Sequence, residues 1–316
     1  MPLKVLLPLD ALDADHPALV SARQSLPDAA FVLVHVAPPA SPQAALAEAQ
    51  LARLRAQVGG RHQVVVLQSP SVGGALMDFL TQHPLDLVWM GATRKGQMER
   101  FLLGSAAERM QRDSPVPVVT VPMAAVPPAT GVAGAPLRIL HLHDFSVPAQ
   151  AALAFLQTHF PAAQLDLVHV VQPTALTAPV RTSVLPGGRA SSLTLLRRRN
   201  REWRLEAKRR MALLGGGRVC EGEPAQVALT LVRDGQYDVI AIGKSTKGWM
   251  DRAFLGSTGQ QLLRQSPVPV LTVGPHEAHP GGRRSRLPPR TAGERDHLRR
   301  EAQDTGPGQP ARMGFL

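Results

Sequence analysis

The chain has 316 residues, of which 44% are hydrophobic and 19% charged, and a formal net charge of +11. That length accommodates two domains of ordinary size, each with a core of its own. No run of 18 or more apolar residues occurs, which excludes a transmembrane helix, and the lone cysteine, Cys220, excludes an intrachain disulfide and fits a reducing cytoplasm. The charge is local. Residues 1–136 carry 10 basic and 10 acidic side chains, residues 137–275 carry 17 and 9, and residues 276–316 carry 8 and 5.

Met1 to Asp10 reads as a first β-strand rather than a secretory leader, because its apolar stretch is short and ends on an acid. In chain order the spacing predicts strands at Lys4–Leu9, Phe31–Val36, Gln63–Leu67, Leu85–Met90 and Val116–Val121. Helices are expected between them at Pro17–Ser25, Pro42–Val58, Val72–Gln82 and Ser105–Gln111. Pro122 to Pro136, rich in Ala, Pro and Gly, reads as a linker. Strands follow at Leu137–Leu142, Gln164–Val170, Arg218–Glu221, Tyr237–Ile242 and Val268–Val273, with a basic helix from about Ser192 to Leu214. After Gly274 the composition turns to Pro, Gly, Arg and Asp, and a disordered tail is expected over 276–316. Alternation of helices with nearly continuous apolar strands predicts a doubly wound, flavodoxin-like α/β unit, twice over.

The two units repeat one another. Met90-Gly91-Ala92-Thr93-Arg94-Lys95-Gly96 and Arg100-Phe101-Leu102-Leu103-Gly104-Ser105 return as Ile242-Gly243-Lys244-Ser245-Thr246-Lys247-Gly248 and Arg252-Ala253-Phe254-Leu255-Gly256-Ser257, offset by 152. Ser114-Pro115-Val116-Pro117-Val118 returns as Ser266-Pro267-Val268-Pro269-Val270 at the same offset. Nearer the start, Asp10 matches Asp144 and His35-Val36 matches His169-Val170, offset by 134. The second copy therefore holds 18 extra residues, and Pro173 to Ser192 is their natural place. The expected domains are residues 1–122 and 137–275.

In an open parallel sheet, ligands sit at the carboxyl ends of the strands near the switch in strand order. Asp10 and Asp144 end the first strand of each copy, and Gly91 and Gly243 end the fourth. Gly104-Ser105 and Gly256-Ser257 open the last helix, where backbone N–H groups receive an anion and glycine lets a phosphate approach. These glycines would equally serve a turn and a helix start.

The ordered set closely resembles the universal stress proteins, whose ATP-binding members share the pattern G-2x-G-9x-G-S/T after the fourth strand. Gly91 and Gly104-Ser105 fit that spacing, as do Gly243 and Gly256-Ser257. Asp144-Phe145-Ser146, the His-Val pairs, Glu221-Gly222-Glu223-Pro224 and the two Val-Pro-Val strands match as well. The resemblance covers about residues 3–122 and 137–275. It implies an adenine nucleotide alpha hydrolase-like fold and a non-catalytic, cytoplasmic stress-response protein. It also implies bound ATP, with magnesium. Asp10 and Val36, or Asp144 and Val170, would hold adenosine, while the glycines and serines would hold phosphates. The middle glycine is Arg94 in one copy and Thr246 in the other. Arg94 could reach a phosphate, whereas a β-branched Thr fits φ > 0 badly. Pro8 precedes the first acid and no proline stands at the matching place in the second copy, so the first copy is the favoured site. The resemblance further implies that the two fifth strands pair antiparallel, making the chain an intrachain pseudo-dimer and hiding two edges. A protein partner and a homodimer are compatible with it.

No Walker A lysine, G-x-S-x-G elbow or cysteine/histidine metal spacing occurs, so an enzyme is not expected. His141 and His143 share one strand face beside Asp144. They read either as a metal or general-base pair or as two exposed strand-end histidines, the latter favoured. Asp10, Asp13 and Asp15 read as a solvated loop before a cation site. Cys220 reads as a small strand residue rather than a reactive thiol. In the basic helix, Leu196, Trp203, Ala207, Met211 and Leu214 recur at helical spacing opposite Arg197-Arg198-Arg199, Arg201, Arg204 and Lys208-Arg209-Arg210. Its basic side is either a solvated face or a patch for nucleic acid, anionic membrane or an acidic protein. Without interleaved aromatics, single-strand nucleic-acid stacking is not expected.

Overall fold

The computed structural model describes residues 2–59, 62–92, 103–122, 136–172, 188–235, 237–244 and 255–275, with backbone alone for 188–197. The readings made for the linker, for the tail, and for Arg94, Gly96, Thr246 and Gly248 lie outside the described residues.

The first half runs β1 (Lys4–Pro8), α1 (Pro17–Ser25), β2 (Ala30–Ala37), α2 (Gln43–Val58), β3 (Gln63–Gln68), α3 (Val72–Gln82), β4 (Leu87–Gly91), α4 (Ser105–Asp113) and β5 (Val118–Val121). The second half repeats this as β6 (Arg138–Leu142), α5 (Val147–His159), β7 (Gln164–Val171), α6 (Gly188–Leu213), β8 (Arg218–Glu221), α7 (Pro224–Gly235), β9 (Val239–Gly243), α8 (Ser257–Gln265) and β10 (Val270–Val273). Helices cover both faces of the sheet, so neighbouring residues of one strand are all buried: Val5, Leu6 and Leu7 in β1, and Leu87, Val88 and Trp89 in β4, have no exposed surface.

All ten strands form one sheet in the order β3-β2-β1-β4-β5-β10-β9-β6-β7-β8. Pairing within each half is parallel, and each half is a doubly wound 3-2-1-4-5 unit. Flavodoxin itself runs 2-1-3-4-5. The order reverses between β1 and β4, and again between β6 and β9. The halves meet where β5 and β10 pair antiparallel, Val119 opposite Leu271. Each half thereby covers the other's edge.

Several boundaries moved for identifiable reasons. β5 and β10 begin two residues later than the β-branched runs suggest, because Pro117 and Pro269 offer no N–H to the ladder. Before them Ser114 and Ser266 close a turn, donating from Oγ to the carbonyls of Val116 and Val268 at 2.7 and 2.6 Å. α6 begins at Gly188, so the last residues of the stretch assigned to the insertion are helical.

The seam contains a buried polar network that breaks the internal symmetry. Gln111 of α4 donates from Nε2 to Thr120 Oγ1 at 2.7 Å and accepts at Oε1 from Thr272 Oγ1 at 2.6 Å. Lys244, buried just after β9, reaches across and donates from Nζ to the Gln111 carbonyl at 3.3 Å. That carbonyl's usual helical donor would be residue 115, a proline without an N–H. The matching positions in the other half are Leu263 and Ala92, so the network exists in one direction only.

Candidate functional site

The candidate site of the first half sits at the carboxyl edge beside the β1/β4 switch. Asp10 follows β1, and its Oδ1 accepts from the Ala11 N–H at 3.0 Å and from His16 Nε2 at 2.8 Å. His16 is buried, and its Nδ1 accepts from the Ala18 N–H at 3.2 Å, capping α1. With Nδ1 accepting, Nε2 carries the proton donated to Asp10. This hydrogen bond holds the Asp10 carboxyl below its ordinary range, against the opposing effect of partial burial. A ligand hydroxyl or amine would meet the second carboxylate oxygen.

Val36, at the end of β2, is half-buried and packs on the core between the sheet and α3 and α4. Its neighbour His35 donates from Nδ1 to the Leu9 carbonyl at 2.9 Å, tying the end of β2 to the turn that presents Asp10. His169 does the same in the second half, 2.7 Å from the His143 carbonyl. Sequence reasoning gave these histidines no role, although their recurrence was the available signal.

Gly91 closes β4, opposite Val121. Among the described residues a Cβ there would meet only His16 Cε1, at an ordinary 3.7 Å. Gly104 is the N-cap of α4, with φ −64° and ψ 151° and no side-chain cap. Ser105 behind it is exposed. By contrast, α1, α3 and α5 satisfy an N-terminal N–H with the side chains of His16, Ser71 and Ser146. The first turn of α4 therefore has donors that no side chain among the described residues caps.

The second half follows the same plan with three differences. Asp144 is turned onto Ser146, accepting at Oδ1 from its N–H at 3.0 Å and from its hydroxyl at 2.5 Å. α5 starts one turn earlier than α1, the helices having thirteen and nine residues and matching C-caps at Phe160 and Leu26. That extra turn lies on Gly243: a Cβ there would fall 2.4 Å from the Pro148 carbonyl carbon and 2.5 Å from the Ala149 nitrogen. Packing thus requires Gly243, whereas none of the described residues requires Gly91. Gly256 caps α8 without a side-chain bond, with Ser257 exposed and open space where its Cβ would stand. Val170 is half-buried near the end of β7.

The histidine pair is corrected by the structure. His141 and His143 are 0% and 2% exposed, not exposed strand-end residues. They occupy the places of Leu7 and Leu9 in the first half, also buried. His141 lies between two carbonyls, Nδ1 3.1 Å from Ala241 O and Nε2 3.2 Å from Ala149 O. Burial lowers its pKa to about 4, the two carbonyls opposing that shift. The three aspartates of the first loop do not converge, since Asp10 faces His16 and Asp13 accepts from the Asp15 N–H. Among the described residues no group of three metal-type side chains exists.

α6 buries Ala207 and Met211 as its stripe predicted, but Trp203 is 39% exposed and Leu205 and Leu213 are exposed as well. Arg204 pairs with Glu221 at 2.7 Å and Arg198 with Glu202 at 3.0 Å. Arg199 lies over the Trp203 ring and Arg210 over the Phe145 ring. Arg201, Lys208 and Arg209 are exposed. No helix among the described residues is long and apolar enough to cross a membrane.

The model of the universal stress protein family matches residues 1–122 and 136–274. The chain belongs to the universal stress protein family. Its two matched segments put two copies of the family's domain in tandem. A universal stress protein of Mycobacterium tuberculosis strain H37Rv is 24% identical over 225 residues, covering 64% of this chain and 69% of the relative. A universal stress protein structure from Archaeoglobus fulgidus superposes with a TM-score of 0.58 at 18% identity, covering 86% of this chain and 98% of that one. A Pseudomonas aeruginosa structure gives 0.59 at 16% identity, covering 87% and 94%. These structures support the tandem fold.

Proposed function

We propose that this universal stress protein binds ATP or a related adenine nucleotide, with magnesium, in its first half, as a non-catalytic cytoplasmic sensor whose protein contacts change with occupancy. The observation carrying this reading is the start of α4. Among the described residues no side chain caps its first turn, the N-cap glycine has no side chain of its own to obstruct a phosphate, and the Ser105 hydroxyl adds a donor. Gly91 is a glycine that the packing of the described residues does not call for. Asp10 and Val36 end the strands where adenosine would lie, and Arg94 follows Gly91 by three residues. The second half offers the same helix start at Gly256 and Ser257, but Asp144 is spent on Ser146 and Gly243 on α5. The chain therefore binds one nucleotide, or binds the first much more tightly than the second. Purified protein is denatured and its small molecules are identified by anion exchange with mass detection. Adenine nucleotide near one per chain supports the reading. None, with no thermal shift in millimolar ATP and magnesium, overturns it.

A further inference from the structure

The carboxyl end of β6 is built around a proton acceptor that the first half lacks. His143 is buried, and its Nδ1 accepts from the backbone N–H of Phe145 at 3.1 Å. The neutral ring then carries its proton on Nε2, which is buried with no hydrogen-bond partner among the described residues. Phe145 is held at φ 62°, the left-handed region that a bulky residue rarely adopts. Its ring packs 4.5 Å from His169 and 5.3 Å from His143, and the Arg210 guanidinium lies 4.0 Å from its centre. Phe145, His169 and Arg210 line one side of a cavity of about 320 Å³ at the end of β7, with Trp203 and Glu206 of α6 among its walls. In the first half the matching residues are Leu9 and Ala11, and Ala11 is not left-handed.

We propose that His143 is the proton-sensing element of a latch: neutral, it holds the Phe145 turn closed over the end of β7, and a proton taken from solvent at Nδ1 releases that turn. The reason is local. Protonation converts the acceptor of the Phe145 N–H into a second donor, so two N–H groups face each other at hydrogen-bonding distance. The left-handed turn loses its support, and with it go the stacking on His169 and the contact with Arg210. Among the described residues, the charged and titratable groups facing His143 are Asp144 in its own turn, His169 of β7, Arg210 of α6 and His141 of β6. β9 has no ionisable side chain, and α5 has only His159, at its far end.

Burial is the main cause that lowers the His143 pKa, with His169 and Arg210 acting in the same sense and Asp144 opposing them. The open turn, where the ring meets water, has the higher pKa. The closed latch is thus fully favoured above the ordinary histidine pKa of about 6.5 and loses ground by up to about tenfold per pH unit as pH falls towards the closed-state value. The inference does not depend on nucleotide binding.

The test uses the full chain labelled with ¹⁵N at histidine, the variant His143→Leu assigning the His143 signals by their loss. Leucine is the first half's own residue at this position. At pH 7.5 His143 should show the Nε2–H tautomer. On acidification it should titrate below 6.5, and amide-exchange protection of Phe145, corrected for the intrinsic pH dependence, should be lost with the same midpoint. Far-ultraviolet circular dichroism should hold constant through that step. An Nδ1–H tautomer, a pKa of 6.5 or above, protection that ignores the titration, or global unfolding in the same step would each overturn the proposal. The wild-type measurement decides the matter even where the variant fails to fold.

Discussion

Alanine at Gly243 and at Gly91 should have opposite effects on stability, although the two glycines end equivalent strands. At Gly243 the new Cβ would lie 2.4 to 2.6 Å from three backbone atoms of Pro148 and Ala149, so the first turn of α5 must retreat by about 1 Å to restore ordinary contact. Overpacking of this kind costs about 1–3 kcal/mol. At Gly91 the nearest atom among the described residues is His16 Cε1 at 3.7 Å, and none of those residues need move. Both variants gain about 0.4–1 kcal/mol from the stiffer unfolded chain. That gain cancels between them, and the net difference is about 1–3 kcal/mol. For halves of this size it amounts to roughly 3–10 °C in the unfolding midpoint, with Gly243→Ala the lower. Thermal melts followed by circular dichroism, without nucleotide, measure it directly. Equal shifts, or a lower midpoint for Gly91→Ala, would refute the argument that α5 packs onto β9.

The seam and the histidine core yield further expectations. Thr272→Val removes the hydroxyl bonded to Gln111 Oε1 and leaves that buried oxygen short of a donor. It should destabilise the protein by about 1–3 kcal/mol in urea unfolding, whereas a change below about 0.5 kcal/mol would dismiss the network. His141 has a folded pKa of about 4 against an ordinary 6.5, so the neutral form is the folded one. Its contribution is intact above pH 6.5 and is lost as pH falls towards 4, by at most roughly 3 kcal/mol. His141→Leu should flatten the stability profile across that window, and an unchanged acid slope would show that other groups set it.

Most of the framework was legible because local pattern and global packing agree. Short β-branched apolar runs located strands such as Arg218–Glu221 to the residue, the repeated Ser-Pro-Val-Pro-Val marked two equivalent fifth strands, and the family resemblance implied that they pair. The errors have physical causes. His141 and His143 were read as exposed because they stand at the end of a strand, but the extra first turn of α5 lies there, its Ala149 carbonyl 3.2 Å from His141 Nε2. Lys244 carried no signal in the sequence, because its buried contact with Gln111 spans 133 residues. The left-handed Phe145 was equally hidden, since the aromatic ring that pins it belongs to a turn glycine would ordinarily fill.

The most direct test of nucleotide binding is a calorimetric titration of nucleotide-stripped protein with ATP and magnesium, beside Gly104→Val and Gly256→Val. The account predicts saturable heat near one site per chain, affinity at least tenfold weaker in Gly104→Val, and little change in Gly256→Val. No heat at millimolar ATP in the folded wild type, or equal losses in the two variants, would contradict it.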